Sequence, residues 1–299
     1  RENRLHRIIA PIDLFFLLTR QAVPWMLPSL ILISVRLAAM RIASWNVNSV
    51  RQRTEHLVAW LKETSPDIVC LQELKCTEDT FPTAEIESLG YNIAVLGQKT
   101  FNGVALLSKY QLEDVTRGLP GDDQDEQARY IEALISLPQG VVRIVSLYLP
   151  NGNPLGTEKY TYKIAWFDRL IARARHLLTL EEPLVLAGDY NVIPAPSDAK
   201  DPASWLNDAL FIPQTRAKFQ ELLNLGFTDA FRACSDQKGA FTFWDYQAGA
   251  WPKNNGIRID HLLLSPQAAD KLVACEIDKH VRAWEKPSDH VPIRADITV

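Results

Sequence analysis

Leu184-Val185-Leu186-Ala187-Gly188-Asp189-Tyr190-Asn191 is a run of four apolar residues that ends in a glycine, a carboxylate, a tyrosine and an amide. A short apolar run with polar residues at its end predicts a strand buried on both faces, as in a sheet covered by helices. In extended backbone, side chains two apart share a face, so Asp189 and Asn191 point together into whatever lies at the strand's carboxyl end. Open α/β sheets place their ligands there. The stretch therefore predicts an α/β fold and a place for its chemistry.

The pattern recurs along the chain. Ile42–Trp45 leads into Asn46 and Asn48, Ile68–Leu71 into Gln72 and Glu73, and Val142–Leu147 into Tyr148 and Asn151. Ile257-Arg258-Ile259-Asp260-His261 precedes Leu262–Leu264, and Ser288-Asp289-His290 precedes the apolar close Val291–Ile297. One aspartate after a glycine reads as a turn residue. Six strand-like segments flanked by acids, amides, a tyrosine and a histidine read as one site. Amphipathic stretches alternate with these runs, which favours α/β over separate helical and all-β parts. Arg51–Glu63 places Leu57, Trp60 and Leu61 on one face and stops at Ser65-Pro66. Tyr160–Leu180 carries a stripe of Ile164, Phe167, Ile171, Ala174 and Leu178, with Arg169, Arg173 and Arg175 opposite as a solvated face. Gln214–Leu225 is a third helix, ended by Gly226.

In order along the chain, Trp45-Asn46-Val47-Asn48, Leu71-Gln72-Glu73, Asn102-Gly103-Val104-Ala105, Tyr148-Leu149-Pro150-Asn151-Gly152, Gly188-Asp189-Tyr190-Asn191, Arg258-Ile259-Asp260 and Ser288-Asp289-His290 resemble the motif set of the exonuclease III family. These are abasic-site endonucleases of the endonuclease/exonuclease/phosphatase superfamily. The resemblance runs from Met40 to the C-terminus. It implies a four-layer α/β sandwich, two mixed β-sheets packed face to face with helices outside, and an active site at one end. It also implies a phosphodiesterase that incises duplex DNA at abasic sites and clears nucleotides or blocking groups from 3′ ends.

Composition sets the frame. The 47% hydrophobic content supplies a large core, and no linker, repeat or low-complexity tract interrupts residues 40–299, so one catalytic domain is expected there. Residues 1–39 read as a leader outside that domain, an extended translation start or a disordered tail. Its apolar stretches are broken by Pro24, Pro28 and Arg36, which argues against a membrane span. Cys70, Cys76, Cys234 and Cys275 form no Cys-x-x-Cys pair, so reduced thiols in a cytoplasmic protein are expected rather than disulfides or zinc; a monomer is expected. Net charge is −4 overall. From residue 40 onward the 27 basic residues face 34 acidic ones, an unusual balance for a DNA enzyme. Acids gathered at a metal account for part of it, leaving DNA to local clusters such as Arg51/Arg53 and Lys253/Arg258.

Hydrolysing a phosphodiester requires charge neutralisation, an in-line water and a stabilised leaving oxygen. The resemblance implies Glu73 as metal carboxylate with Asn48 and Asp289 as further ligands. An all-oxygen set suits Mg²⁺, with Mn²⁺ as a substitute. Asn48 stands where many relatives carry aspartate, which puts its ligand role in question. The resemblance further implies that Asp189 orients or deprotonates the water, that Asn46 and Asn191 hold water and phosphate, and that Asp260 pairs with a phosphate-facing His290. Tyr148 approaches the phosphate as donor or as phenolate; an ordinary phenol pKa near ~10 favours the donor. Asn151, Arg51 and Arg258 are expected phosphate or DNA contacts. Phe243, Ile257 and Ile259 are expected to wall an apolar pocket that admits a base-less sugar and excludes a full base, whereas Trp244 reads as core. The rival readings are a superfamily enzyme acting on RNA, inositol phosphates or lipid head groups, and a non-catalytic DNA-binding module.

Overall fold

The structure, a computed structural model, describes residues 39–138 and 140–298; the expected leader lies outside them except for its last residue, Ala39. Twelve strands run in chain order as β1 (Ala39–Asn46), β2 (Ile68–Gln72), β3 (Asn92–Leu96), β4 (Val104–Ser108), β5 (Leu112–Arg117), β6 (Tyr130–Leu137), β7 (Gly140–Tyr148), β8 (Leu184–Asp189), β9 (Thr228–Asp229), β10 (Asp260–Leu264), β11 (Leu272–Ile277) and β12 (Ile293–Thr298). They form two six-stranded sheets, β11-β12-β1-β2-β4-β3 and β5-β6-β7-β8-β10-β9. Each sheet is mixed because it has one parallel pair at its centre, β1–β2 in the first and β7–β8 in the second, among antiparallel neighbours.

Between the sheets lies an apolar layer that includes Ile42, Ile68, Leu106, Ile131, Ile144, Val185, Leu262 and Ile293. Alternation explains the other layers: Trp45, Val69, Leu71 and Leu107 point out of the first sheet toward helix α1 (Thr54–Thr64), whose Leu57, Trp60 and Leu61 meet them. On the second sheet, Tyr130, Val145, Leu186 and Leu263 pack with the long helices. Chain order gives α2 (Thr83–Glu87), α3 (Glu158–Leu178), α4 (Pro213–Asn224), α5 (Ala230–Cys234) and α6 (Pro266–Ala269). The four-layer sandwich is therefore as expected, and no described helix is long and apolar enough to cross a membrane.

The stripe of α3 is turned from the expected one. Its buried face is Lys163, Trp166, Phe167, Leu170, Ile171, Ala174 and Leu177, so Ile164 and Leu178 sit at the margin. The expected solvated arginine face is also partly engaged. Arg173 pairs at 2.9 Å with the fully buried Glu132, and Arg169 at 2.7 Å with Asp125. All four cysteines are free thiols.

Three strands of each sheet bring polar residues to the same end. Register places Asn46 beside Gln72 in the first sheet, and Tyr148 and Asp260 on either side of Asp189 in the second. Asp260 opens its strand where Asp189 closes its own, and antiparallel pairing makes these the same edge. His290, just before β12, reaches that edge likewise, because β12 is antiparallel to β1. Near this end a buried polar bridge fixes the sheet separation: Ser44 Oγ donates to Gln72 Oε1 at 3.3 Å, Gln72 Nε2 to Ser146 Oγ at 3.1 Å, and Ser146 Oγ to the Leu71 carbonyl at 3.1 Å.

Candidate active site

Asn46 sits at the centre of the convergent end. Its Nδ2 donates to Glu73 Oε1 at 2.8 Å and to Asp189 Oδ2 at 3.0 Å, joining the two sheets' carboxylates, while its Oδ1 accepts from the Asn48 amide at 3.0 Å. Asp189 Oδ1 accepts from the Asn191 backbone at 2.8 Å, and Asn151 Nδ2 donates to Asn191 Oδ1 at 3.1 Å. His290 Nδ1 lies 2.8 Å from Asp260 Oδ2, and its Nε2 lies 3.7 Å from Asp189 Oδ2. Tyr148 has the guanidinium of Arg129 over its ring at 4.7 Å. The expected catalytic residues are thus assembled.

Local strain accompanies this geometry. Asn48, Ser49, Glu73 and Asn191 all have positive φ, between 44° and 82°. Such backbone costs about 1–3 kcal/mol per non-glycine residue and persists where the surroundings over-determine it. For Glu73 the surroundings are the Asn102-Gly103 loop, whose carbonyls accept from Lys75 and Leu74 at 2.9 and 3.2 Å. A Cβ on Gly103 would stand 2.8 Å from Leu74 Cβ, so glycine lets the loop close on this turn. That is a physical role for the Asn102-Gly103 motif.

Charges follow from burial and partners. Burial opposes a charge on His290, yet the carboxylates of Asp260 and Asp189 hold its pKa up at about 10. Burial pushes Asp189 up to about 7, against the pull of the His290 charge. Burial also raises Glu73, but the Lys75 ammonium and the hydrogen bond from Asn46 outweigh it and leave the carboxyl below its ordinary value. For Tyr148, burial and then the charges of Glu73 and Asp189 push the phenol well above its usual value, against Arg129, which makes it a donor.

The carboxyl, imidazole and carboxyl ligand atoms of Glu73, Asp189 and His290 lie within 4.8 Å of one another. A cationic imidazole has no lone pair to offer, so the cation donors in this group are the two carboxylates, with Glu73 the more accessible. The hard oxygen set fits Mg²⁺ or Mn²⁺. The other two expected ligands are placed differently. Asn48 spends its Oδ1 on Lys75 at 2.5 Å and its Nδ2 on Asp289 at 2.9 Å, so it bridges these two charges instead of presenting an oxygen to a cation. Asp289 stays outside the three-residue cluster among the described residues. Exchanging Glu73 for glutamine is expected to raise the divalent metal concentration at half-maximal rate by at least about 10-fold, since losing even a group that only orients a ligand costs about 10- to 100-fold. A metal titration of initial rate with an unchanged midpoint would show that Glu73 does not hold the cation.

Of the expected DNA contacts, Arg51 is exposed and lines a polar cleft with Lys75 and Lys99. Arg258 requires a correction: it is fully buried, with Nε on Asp198 and Nη1 on Asp229, each at 2.8 Å. Its Nη1 also meets Nδ1 of His261 at 2.9 Å; burial, then Arg258's charge, push that imidazole down to about 4, so it is a neutral acceptor. Arg258 braces the Ile257–Asp260 segment from within. Ile257 and Ile259 join Ile193, Ala199, Leu210 and Phe211 in a buried cluster, and Phe243 and Trp205 are its half-buried edge. Phe243 stands edge-on to His290 with ring centres 4.9 Å apart, so the apolar wall meets that imidazole. Trp244 is core, as expected.

Sequence reasoning missed four supports. Ser288 Oγ donates to the Asn46 carbonyl at 2.7 Å and accepts from the His290 amide at 3.2 Å. Thr242 Oγ1 accepts from the amides of Ile259 and Asp260, both at 3.1 Å. Trp205 and the buried Lys163 are the others. Ser288 stands inside a motif already singled out and Thr242 directly precedes the expected pocket residue Phe243, which were the available signals; Trp205 and Lys163 carry none.

Comparison with known proteins bears on the family and the fold. Residues 43–290 match the endonuclease/exonuclease/phosphatase family model. The chain is 34% identical over 265 residues to exodeoxyribonuclease III of Haemophilus influenzae, covering 86% of this chain and 99% of that protein. It resembles the structure of an AP endonuclease from Archaeoglobus fulgidus, with TM-score 0.82 and 37% identity over 87% of this chain and 100% of the other. A 3′ phosphatase from Neisseria bound to product DNA hairpin gives TM-score 0.83 and 39% identity over 87% and 99%.

Proposed function

Because the chain belongs to the endonuclease/exonuclease/phosphatase family, we propose that it is a DNA-repair phosphodiesterase of the exodeoxyribonuclease III type, incising duplex DNA at abasic sites and clearing damaged 3′ ends. It is a hydrolytic nuclease, and its family is metal-dependent. One observation carries the finer reading. Glu73, Asp189 and His290 converge within 4.8 Å beside an apolar wall that ends at Phe243.

In the reaction, a water oxygen bonds to phosphorus while the bond from phosphorus to the leaving sugar oxygen breaks, and that oxygen takes a proton from solvent water. Asp189 takes the water's proton, Asn46 and Asn191 hold water and phosphate, and His290 Nε2 and the Tyr148 hydroxyl donate to phosphate oxygens. Asn151 and Arg51 bind flanking phosphates. A bound cation, proposed as Mg²⁺, supplies neutralisation of the phosphate charge, with Glu73 as its principal holder. The protein is proposed to act as a monomer in the cytoplasm, a reducing compartment that suits its four free thiols.

The test compares kcat/KM on end-labelled duplexes bearing an abasic site, a 3′-phosphate or no damage, at fixed salt. Wild type is expected to cleave the first two. Phe243→Ala removes an apolar wall without touching the carboxylates, so abasic preference over intact duplex is expected to drop by about 10- to 100-fold, the range that shape discrimination in an apolar pocket supports. An unchanged ratio in Phe243→Ala and Ile257→Ala would place damage selectivity elsewhere. Cleavage of inositol phosphates or RNA in preference to DNA would overturn the reading.

A further inference from the structure

Lys163 is fully buried on the inner face of α3, amid Trp166, Phe167 and Leu170. Leaving a charged side chain in such a place is costly unless it is hydrogen-bonded. Its partners are two main-chain carbonyls: Nζ donates to the Asn151 oxygen at 2.9 Å and to the Asn191 oxygen at 2.7 Å. No carboxylate among the described residues forms an ion pair with it; Asp189 and Asp208 act on it only at a distance, and burial lowers the ammonium's pKa to about 7.

The two carbonyls belong to the residues whose side chains meet. Asn151 Nδ2 donates to Asn191 Oδ1, and Asn191 Nδ2 donates to the Leu149 carbonyl at 2.9 Å. Asn191 has φ 47°, a backbone state that needs outside support. The chain also closes on the lysine stem. Gly152 has φ 88°, and a Cβ there would stand 2.6 Å from Lys163 Cδ. The turn after Asn151 is thus wrapped around this side chain, and one ammonium ties the loop after β7 to the loop after β8.

We infer that Lys163 is a positioning residue, which sets the spacing and orientation of the Asn151 and Asn191 amides where they meet phosphate. The inference rests on the proposed phosphate role of those amides. It concerns alignment in the reacting complex, so its loss falls on turnover. Affinity for duplex DNA comes largely from backbone contacts spread over the surface and stays nearly constant.

The test uses the full chain on abasic duplex, with kcat and KM measured separately for Lys163→Met, Lys163→Arg, Asn151→Ala, Asn191→Ala and the double variant Lys163→Met/Asn151→Ala. A misplacement of about 1 Å costs on the order of 10²-fold in rate. Lys163→Met is therefore expected to lose about 100-fold in kcat, with KM little changed. Lys163→Arg, which keeps charge and donors, should recover most of the loss. The double variant should lose much less than the product of the two single losses, because both substitutions disturb one amide platform. A folded Lys163→Met with wild-type kcat, while Asn151→Ala or Asn191→Ala is impaired, would overturn the inference, and so would simple multiplication of the two losses. Wild-type turnover in both asparagine variants would instead remove the phosphate reading on which it rests. Should Lys163→Met fail to fold, Lys163→Gln, which keeps an uncharged donor, carries the same test. Failure of Met, Gln and Arg alike to fold would make Lys163 a core residue and end the proposal.

Discussion

Asp189→Asn is expected to give a folded protein that still binds duplex DNA and whose turnover at saturating metal falls by about 10²- to 10⁴-fold, the usual contribution of a general base. The carboxylate has one oxygen committed, Oδ1 to the Asn191 amide at 2.8 Å, and its other oxygen faces Asn46 Nδ2 and His290 Nε2. An asparagine can keep the first contact through its carbonyl, which holds the loop. It then presents an NH₂ where the carboxylate oxygen stood, and an amide cannot take the water's proton. Burial holds the Asp189 pKa up at about 7, a range suited to accepting a proton near neutral pH. The measurements are kcat at saturating metal, affinity for uncleaved duplex and the unfolding midpoint. Near-normal turnover would remove Asp189 as the base. A collapse of the unfolding midpoint would show instead that the residue's main work is structural.

The sequence made the site more legible than the sheets that build it. Asp189, Asn46, Glu73, Tyr148 and His290 could be found because each ends or precedes an apolar run, and strand edges are where such residues gather. Antiparallel pairing even brings Asp260 and His290, which precede their strands, to the edge reached by residues that follow theirs. Which strands share a sheet was not legible, because apolar runs buried on both faces carry no partner code. The errors have a common source in long-range polar contacts. Arg258 read as a phosphate contact because its carboxylates, Asp198 and Asp229, are 60 and 29 residues distant. Arg173 read as solvated because its partner Glu132 lies on another element. Lys163 stayed invisible because its partners are main-chain carbonyls, which every residue offers.

Asp260→Asn is expected to reduce turnover at neutral pH by about 10²- to 10³-fold, the cost of losing one well-placed donor to developing charge. Asp260 is buried, its Oδ2 lies 2.8 Å from His290 Nδ1, and its Oδ1 has no hydrogen-bond partner among the described residues. Its negative charge is thus directed almost wholly at the imidazole. In the wild type, Asp260 and Asp189 hold His290 up at about 10, so the ring is cationic throughout the neutral range and loses its proton only as pH rises through that value. Asparagine occupies the same volume and can still hold Nδ1, but it supplies no charge. The His290 pKa then falls toward the ordinary value of about 6.5 or below. The variant's imidazole is therefore charged only on the acid side, and the wild-type to variant rate ratio should be smallest near pH 6 and grow toward pH 8. Replacing Asp260 removes a charge that raises Asp189 and, by neutralising His290, one that lowers it, so these two effects on Asp189 oppose each other in the ratio. His290→Gln, which has a neutral donor and no titration, should show a deficit with little pH dependence by the same ratio. A flat ratio for Asp260→Asn would mean that Asp260 fixes only the ring's orientation, and turnover near that of wild type would mean that His290 does its work without a charge.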